Sequence, residues 1–432
     1  MKLKSILLLL ISISYIYNAE TTGKNLLLKD ADSTLDGTKL PTGGVSFSNQ
    51  VLSITEGGTY VLSGTLNGQV SVSVSDKVVL VLKGVTITSN SHGIIFLKAP
   101  EIDQNNSINP SSFSVNLENV GAQLVIADGT ENTVKGANGG QYDGAIHTCV
   151  SLLIKGETKG DGVLNVIGSG EGIETDVHLF IDGGVIKVIG NDDAINCNSK
   201  DKSIFYLKSG KVLANAGLGQ EGDGIDSNGY IIIDGGEIVS SAKAGMDSGL
   251  DSDHTAINGG IIFAVGSALD YASDNCKQPT MNLVFKSNIE TSSTLSIKDT
   301  NGNEIMSYCA DKADFVSGSA RKTYFAAIVS HPSFKSGSTY HLFLDGVQLG
   351  FTGNKAGFDW GNGGGFPWGG GNPGGNPGGN PWGGNPGGNP GGNPWGGQPG
   401  GGQQGGDDNA EIKTDFTLGN AATAFSGIQK AL

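Results

Sequence analysis

The sequence predicts an all-β protein: a parallel β-helix, then a small antiparallel β module, then a disordered Gly/Asn/Pro-rich tail. Three observations carry this expectation. A five-residue turn recurs as Gly144-Ala-Ile-His-Thr148, Glu171-Gly-Ile-Glu-Thr175, Asp193-Ala-Ile-Asn-Cys197, Asp223-Gly-Ile-Asp-Ser227 and Ala244-Gly-Met-Asp-Ser248. A glycine-bearing phrase runs in phase with it, led by Ile154, Ile181, Leu207, Ile233 and Ile257, in steps of 27, 26, 26 and 24 residues. Gly, Asp, Asn and β-branched residues dominate both phrases, and all of them disfavour helix interiors. Two phrases locked in one period describe a solenoid, in which each coil buries its apolar face only against its neighbours. Three short strands and three turns per repeat suit a β-helix coil; a propeller blade needs four antiparallel strands and about 40 residues.

Residues 1–19 read as a secretion signal, with Lys2 and Lys4 before the apolar run from Ile6 to Ile16 and small Ala19 at its end. That run is too short for a membrane span, so the mature chain is expected to be exported, without membrane insertion. Residues 20–56 read as an N-terminal cap, because an open coil end is an exposed sheet edge. Residues 57–266 are assigned to the β-helix. Val70-Ser-Val-Ser-Val74 shows the in/out alternation of a strand, and His92-Gly-Ile-Ile-Phe96 reads as an earlier copy of the recurring turn.

Within one coil, Tyr230–Ile233 is a strand, Asp234-Gly-Gly236 a tight turn and Glu237–Ser240 a second strand. The central aliphatics Ile146, Ile173, Ile195, Ile225 and Met246 are expected to stack inward, beside a column of Thr148, Thr175, Cys197, Ser227 and Ser248. Residues 267–347 lose the period and read as the antiparallel module, with Asp299-Thr-Asn-Gly302 as a hairpin turn. Residues 348–407 form a Gly/Asn/Pro/Trp-rich linker that cannot build a core, and 408–432 a C-terminal tail.

Four cysteines suit an oxidising compartment without forming a disulfide scaffold. Cys276 and Cys309, both outside the repeats, are expected to pair. Cys149 and Cys197 lie two coils apart, roughly 9–10 Å, too far for a bridge. Asn105 heads a glycosylation sequon in a polar insertion.

The chain carries 27 basic and 42 acidic residues, net −15, with Arg321 its one arginine. Such a balance excludes nucleic acid and anionic membranes as partners, and demands a divalent cation between the protein and any polyanionic sugar. The turn residues supply the ligands. Glu171, Glu174, Asp193, Asn196, Asp223, Asp226 and Asp247 fall in columns, with Glu174 over Asn196, Asn196 over Asp226, and Asp226 over Asp247. Stacked carboxylates repel one another and must be neutralised, and oxygen donors of this kind suit Ca²⁺. His147 occupies the acid position of its own turn. A hydrolase pair at Asp192-Asp193 is the sharper alternative, but the Gly-His-Gly and Arg-Ile-Lys companions of such a pair are missing, and one more acidic turn is the plainer reading. For a lyase, the one arginine and Lys155, Lys187 and Lys208 form no clamp for an acidic sugar.

Gly58-Thr-Tyr-Val-Leu-Ser-Gly-Thr-Leu66, Val79-Leu-Val-Leu-Lys-Gly-Val-Thr-Ile87, Ile126-Ala-Asp-Gly-Thr-Glu-Asn-Thr133 and Ile233-Asp-Gly-Gly236 together resemble a family of secreted, pectate-lyase-like proteins named for a carbohydrate-binding domain. The resemblance covers roughly residues 50–347. It implies a right-handed, single-stranded parallel β-helix, calcium between coils, and binding to acidic plant cell-wall polysaccharide or cellulose without cleavage. Glu171, Asp193 and Asp223 match the family's acid-led turns, whereas Gly144 and Ala244 depart from them. The resulting expectation is a secreted, monomeric, non-catalytic polysaccharide-binding protein. A calcium-dependent lyase and a structural surface or adhesion protein are the alternatives.

Overall fold

The computed structural model describes residues 22–102, 109–137, 142–199, 202–216, 222–242, 247–273, 275–313, 323–354 and 411–431. The signal segment, Asn105, Met246 and most of the Gly/Asn/Pro/Trp linker lie outside them. The described residues form strands joined by turns, with four short 3-10 segments and no α-helix among them.

Each strand pairs in parallel with its equivalent one repeat later. The glycine-phrase strands are in register from Leu124 through Ile154, Ile181, Leu207 and Ile233 to Ile257, and all six side chains are fully buried. The strands after the glycine turn continue the pattern with Leu164, Ile186, Val212, Ile238 and Ile262. The short turn strands Ile146–Thr148, Ile173–Thr175 and Ile195–Cys197 pair in sequence with one another and with Ile225–Ser227. Ile146, Ile173, Ile195 and Ile225 form the expected inward stack, and Cys197 takes the place of Thr or Ser in the neighbouring column.

Several strands are apolar on both faces, because both faces are covered. Leu153, Phe180, Ile204, Tyr206 and Ile232 point away from the main core and pack beneath Leu117 and Val120 of the insertion after residue 100. That segment, expected to be a polar surface loop, is in its described part a lid over an apolar stripe.

The cap starts inside the coils. Lys24–Lys29 pairs in parallel with Gly58–Asn67, and Val51–Ile54 with Gln69–Ser73. Antiparallel pairing of Thr34–Leu35 with Thr38–Lys39, and of Val45–Ser48 with Val51–Ile54, finishes this end. Parallel coiling therefore begins near residue 24 rather than 57.

At the other end, Ile261–Gly266 pairs antiparallel with Thr323–Ser330, which pairs antiparallel with Thr280–Glu290. Ala422–Lys430 then adds to Thr280–Glu290 in parallel. The module is thus mixed rather than antiparallel, and residues 412–431 belong to it. Phe416 and Phe425, from the expected tail, contact Phe351 in its core at centroid distances of 4.7 and 4.9 Å. The hairpin turn at Asp299 is as expected: the Asp299 carboxylate accepts the Asn301 and Asn303 amides, each at 2.8 Å.

The expected disulfide does not form. Cys276 is buried at the end of the solenoid core, where its Sγ accepts the Ile257 amide at 3.2 Å. Cys309 ends a hairpin strand, with its Sγ 3.1 Å from the Thr291 carbonyl oxygen. Standing outside the repeats is not a geometric pairing rule, since a bridge needs Cα atoms within about 7 Å. All four cysteines are thiols. A thiol titration in denaturant without reductant is expected to find four reactive groups, and reductant to leave the melting temperature unchanged; a count of two would restore the Cys276–Cys309 bridge.

Candidate functional site

Two neighbouring columns of turn residues build the acidic face. Backbone bonds fix their alignment: Gly172 N donates to the Asp193 carbonyl, Ala194 N to that of Asp223, and Gly224 N to that of Ser248. The first column therefore runs Gly144, Glu171, Asp193, Asp223, Ser248. The second is set by strand register and runs His147, Glu174, Asn196, Asp226, Asp251. His92-Gly-Ile-Ile-Phe96 is the turn before them, with Ile94 paired to Ile146.

The fifth turn corrects the sequence reading. Asp226 pairs with Asp251, not Asp247, because the structural repeat is Ser248-Gly-Leu-Asp-Ser252. Two near-identical phrases follow one another here, and the second occupies the column. Asp247 sits at the border, where its Oδ2 accepts Gly222 N at 3.2 Å. Asp251 and Asp270, which the sequence reading omitted, extend the acidic face, and Asp270 accepts the Ser252 amide at 2.9 Å.

Each first-column acid faces the second-column residue of the following coil. Asn196 Nδ2 donates to Glu171 Oε1 at 2.7 Å. Asp193 and Asp223 instead face carboxylates, Asp226 and Asp251. Burial, then the charge of Glu174, pushes Glu171 up to about 9. Burial, reinforced by Asp226, raises Asp193 to about 8. Asp223 is likewise raised to about 8 by burial and Asp251, and Asp226 to about 7 by burial and the same neighbour. Burial carries Asp270 to about 6. Shifts in one direction along a column show that the folded chain itself does not neutralise these charges. Two buried oxygens point the same way: Glu171 Oε2 and Asn196 Oδ1 have no hydrogen-bond partner among the described residues. An unsatisfied buried carboxylate oxygen and an unsatisfied amide oxygen, on two side chains that already touch through Glu171 Oε1 and Asn196 Nδ2, are oxygen donors of the kind a hard cation takes.

Glu174 behaves differently. Its Oε2 accepts from Asp143 N at 2.8 Å, Gly144 N at 3.0 Å and His147 Nδ1 at 2.8 Å, while Oε1 accepts from Asn198 Nδ2 at 2.8 Å. Burial pushes its carboxyl up, but the bonds from His147 and the Asp143 amide outweigh this and hold it below the ordinary glutamate range. Glu174 was expected to bind metal; its oxygens are instead committed to the protein. Asp192, weighed as half of a catalytic pair with Asp193, is exposed.

A cleft of about 660 Å³ lies over the stacked glycine turns, with Glu118, Lys155, Glu157, Lys159, Asp182 and Ser209 around it. Gly156, Gly183, Gly184 and Gly210 are also in its lining. At Gly210, with φ +99°, an added Cβ would come within 2.8 Å of the Gly183 carbonyl carbon, so neighbouring coils approach here only as glycine. Lys155 pairs with Glu118 at 3.1 Å and Lys208 with Asp182 at 2.8 Å.

A family model described as carbohydrate-binding domain-containing protein matches residues 48–314. The chain belongs to that family. The match contains both acidic columns and the glycine-floored cleft, and bears out the expected resemblance. No curated protein matches the chain. Among solved structures, the chain is similar to the polysaccharide lyase-like protein from C. thermocellum, a gadolinium derivative, at 23% identity and a TM-score of 0.41, over 55% of this chain and 89% of that one. Among the described residues of this carbohydrate-binding-domain protein, no helix is long and apolar enough to cross a membrane.

Proposed function

We propose that this chain is a secreted, monomeric and non-catalytic protein that binds acidic cell-wall polysaccharide through a calcium-stabilised, right-handed parallel β-helix. The observation that carries the proposal is the run of like-charged carboxylates from buried Glu171 to half-buried Asp193, Asp223, Asp226 and Asp251, together with the unsatisfied oxygens of Glu171 and Asn196. Right-handedness follows from the strong preference of parallel crossovers. Ca²⁺ would be held by Glu171 with Asn196, by Asp193 with Asp226, and by Asp223 with Asp251. When bound it supplies the positive charge that these coils lack, and a link to sugar carboxylates.

Sugar recognition is assigned to polar groups. The cleft over the glycine turns offers Lys155, Lys159 and Ser209 as partners for carboxylate and hydroxyl groups. The test is retention on immobilised polygalacturonate with and without Ca²⁺. Retention is expected in Ca²⁺, loss in EDTA, and several-fold weaker retention for Asp226→Asn. Equal retention in both conditions would overturn the role of the cation. In the same assay, growing ultraviolet absorbance from unsaturated uronates would replace binding with lyase activity.

A further inference from the structure

Beside the acidic columns lies a second cluster of different chemistry. His147 occupies the second column but is fully buried, its ring stacked on Tyr142 with centroids 3.9 Å apart and planes 17° from parallel. Its Nδ1 lies 2.8 Å from Glu174 Oε2, an oxygen that already accepts two backbone amides. Nδ1 is therefore the protonated nitrogen, and Nε2 presents a lone pair. That Nε2 is 3.5 Å from Cys149 Sγ and 3.6 Å from Asp176 Oδ2. The nitrogen, sulfur and oxygen all lie within 4.8 Å of one another. Cys149 and Asp176 are half-buried, so the cluster sits at the solvent boundary.

We propose that His147 Nε2, Cys149 Sγ and the Asp176 carboxylate form a site for a borderline transition-metal ion of the zinc class, oriented by Glu174. Ligand atoms around tetrahedral zinc with one sulfur are separated by about 3.4–3.6 Å, as the 2.0–2.3 Å bond lengths require. The N···S distance of 3.5 Å already fits, while the N···O distance of 3.6 Å and a sulfur and oxygen within 4.8 Å of each other call for a small inward shift of the Asp176 carboxylate. Three protein ligands leave a fourth position for water or a small ligand. A carboxylate on the far nitrogen of the histidine is the usual outer partner of a metal-bound imidazole. Sulfur and imidazole set this site apart from the oxygen-only columns, because Ca²⁺ prefers neither.

The same groups, taken as Cys149, His147 and Glu174, also follow the order of thiol nucleophile, base and orienting acid. Electrostatics separates the two readings. Burial first, and then the nearby Asp176 and Glu174 carboxylates, push the Cys149 thiol up against a hydrogen bond with Tyr142 that pulls it down, and this balance disfavours a bare thiolate and favours one bound to a cation.

The test is titration of the reduced full-length protein with Co²⁺ as a spectroscopic stand-in for zinc, with Ca²⁺ in excess. One equivalent is expected to produce a near-ultraviolet thiolate-to-cobalt band, which zinc then removes. Cys149→Ser abolishes the band, and Cys309→Ser keeps it. Glu174→Gln weakens cobalt binding by about 10–100-fold, as the loss of an outer partner does, and Asp176→Asn, which removes a ligand at a half-exposed position, weakens it at least as much. The proposal is overturned if the parent protein gives no band, if Cys149→Ser retains it, or if Ca²⁺ displaces the cobalt. Any of these results leaves the calcium columns untouched, since they share no metal ligand with this cluster.

Discussion

Stripping divalent cations with EDTA at about pH 8 lowers the melting temperature of this protein, and acidifying the stripped protein towards about pH 5 restores part of it. The first half follows from linkage. A cation that binds only the folded coils adds about 2.7 kcal/mol of stability at a hundredfold excess over its dissociation constant. The second half follows from the sign of the shifts. Asp193 and Asp223 are raised to about 8 in the folded state, above the ordinary value of 3.8. Between those limits the folded chain holds protons that the unfolded chain has released. Stability without metal is therefore greatest at low pH and is lost as pH rises towards 8. One such carboxyl changes stability by at most about 1.4 kcal/mol per pH unit, and mutual repulsion spreads the effect over a broad range.

With Ca²⁺ present the trend weakens or reverses, because the cation competes with protons for the same oxygens. Asp193→Asn separates the two effects. In EDTA the variant is at least as stable as the parent at pH 8, since a half-buried charge repelled by Asp226 is gone. In Ca²⁺ it gains less than the parent. A melting temperature indifferent to EDTA, or one that rises with pH in the stripped protein, would remove the cation from this account. Thermal unfolding across a pH series, with and without Ca²⁺, reads all four outcomes.

The architecture was legible because periodicity reports directly on burial. Ile154, Ile181, Leu207 and Ile233 recur at intervals of 27, 26 and 26 residues because each must cover the residue one coil below, and the structure places them in one column. The failures occurred where local resemblance and long-range geometry disagree. Ala244-Gly-Met-Asp-Ser248 and Ser248-Gly-Leu-Asp-Ser252 satisfy the same pattern, and only backbone pairing to Gly224 and Ile225 decides between them. The interval offered a clue: Ile225 to Leu250 spans 25 residues, closer to the repeat than Ile225 to Met246.

Glu174 reads as one more acid in a column, yet the His147 beneath it turns it into an orienting group. The histidine at an acid position was visible in the sequence. That Cys149 and Asp176 converge on it was not, because they belong to adjacent coils and follow the recurring turn instead of lying within it. Phe416 and Phe425 sit beyond a long Gly/Asn/Pro stretch in a weakly apolar segment, and nothing local reveals that this segment returns as a strand beside Thr280–Glu290.

Ile225→Ala is expected to destabilise the protein by about 2–5 kcal/mol, the range for deleting a fully buried aliphatic side chain that leaves a cavity. Ile225 stacks on Ile195, and its amide bonds to the Gly249 carbonyl of the next coil, before Leu250. A solenoid has no alternative core to absorb the loss, because each coil is stabilised only by its two neighbours. The same residue lies between Asp223 and Asp226 in the chain, so the cavity loosens the turn that sets both carboxylates against Asp193 and Asp251. The variant should therefore lose calcium response as well as stability. Ile225→Val, which removes one methylene, should cost only about 0.5–1.5 kcal/mol and keep the response. Urea unfolding of the parent and both variants, in Ca²⁺ and in EDTA, measures stability and response together. A cost for Ile225→Ala below about 0.5 kcal/mol would place Ile225 outside the core. A full cost with an undiminished calcium response would show that the acidic face keeps its geometry independently of the apolar stack behind it.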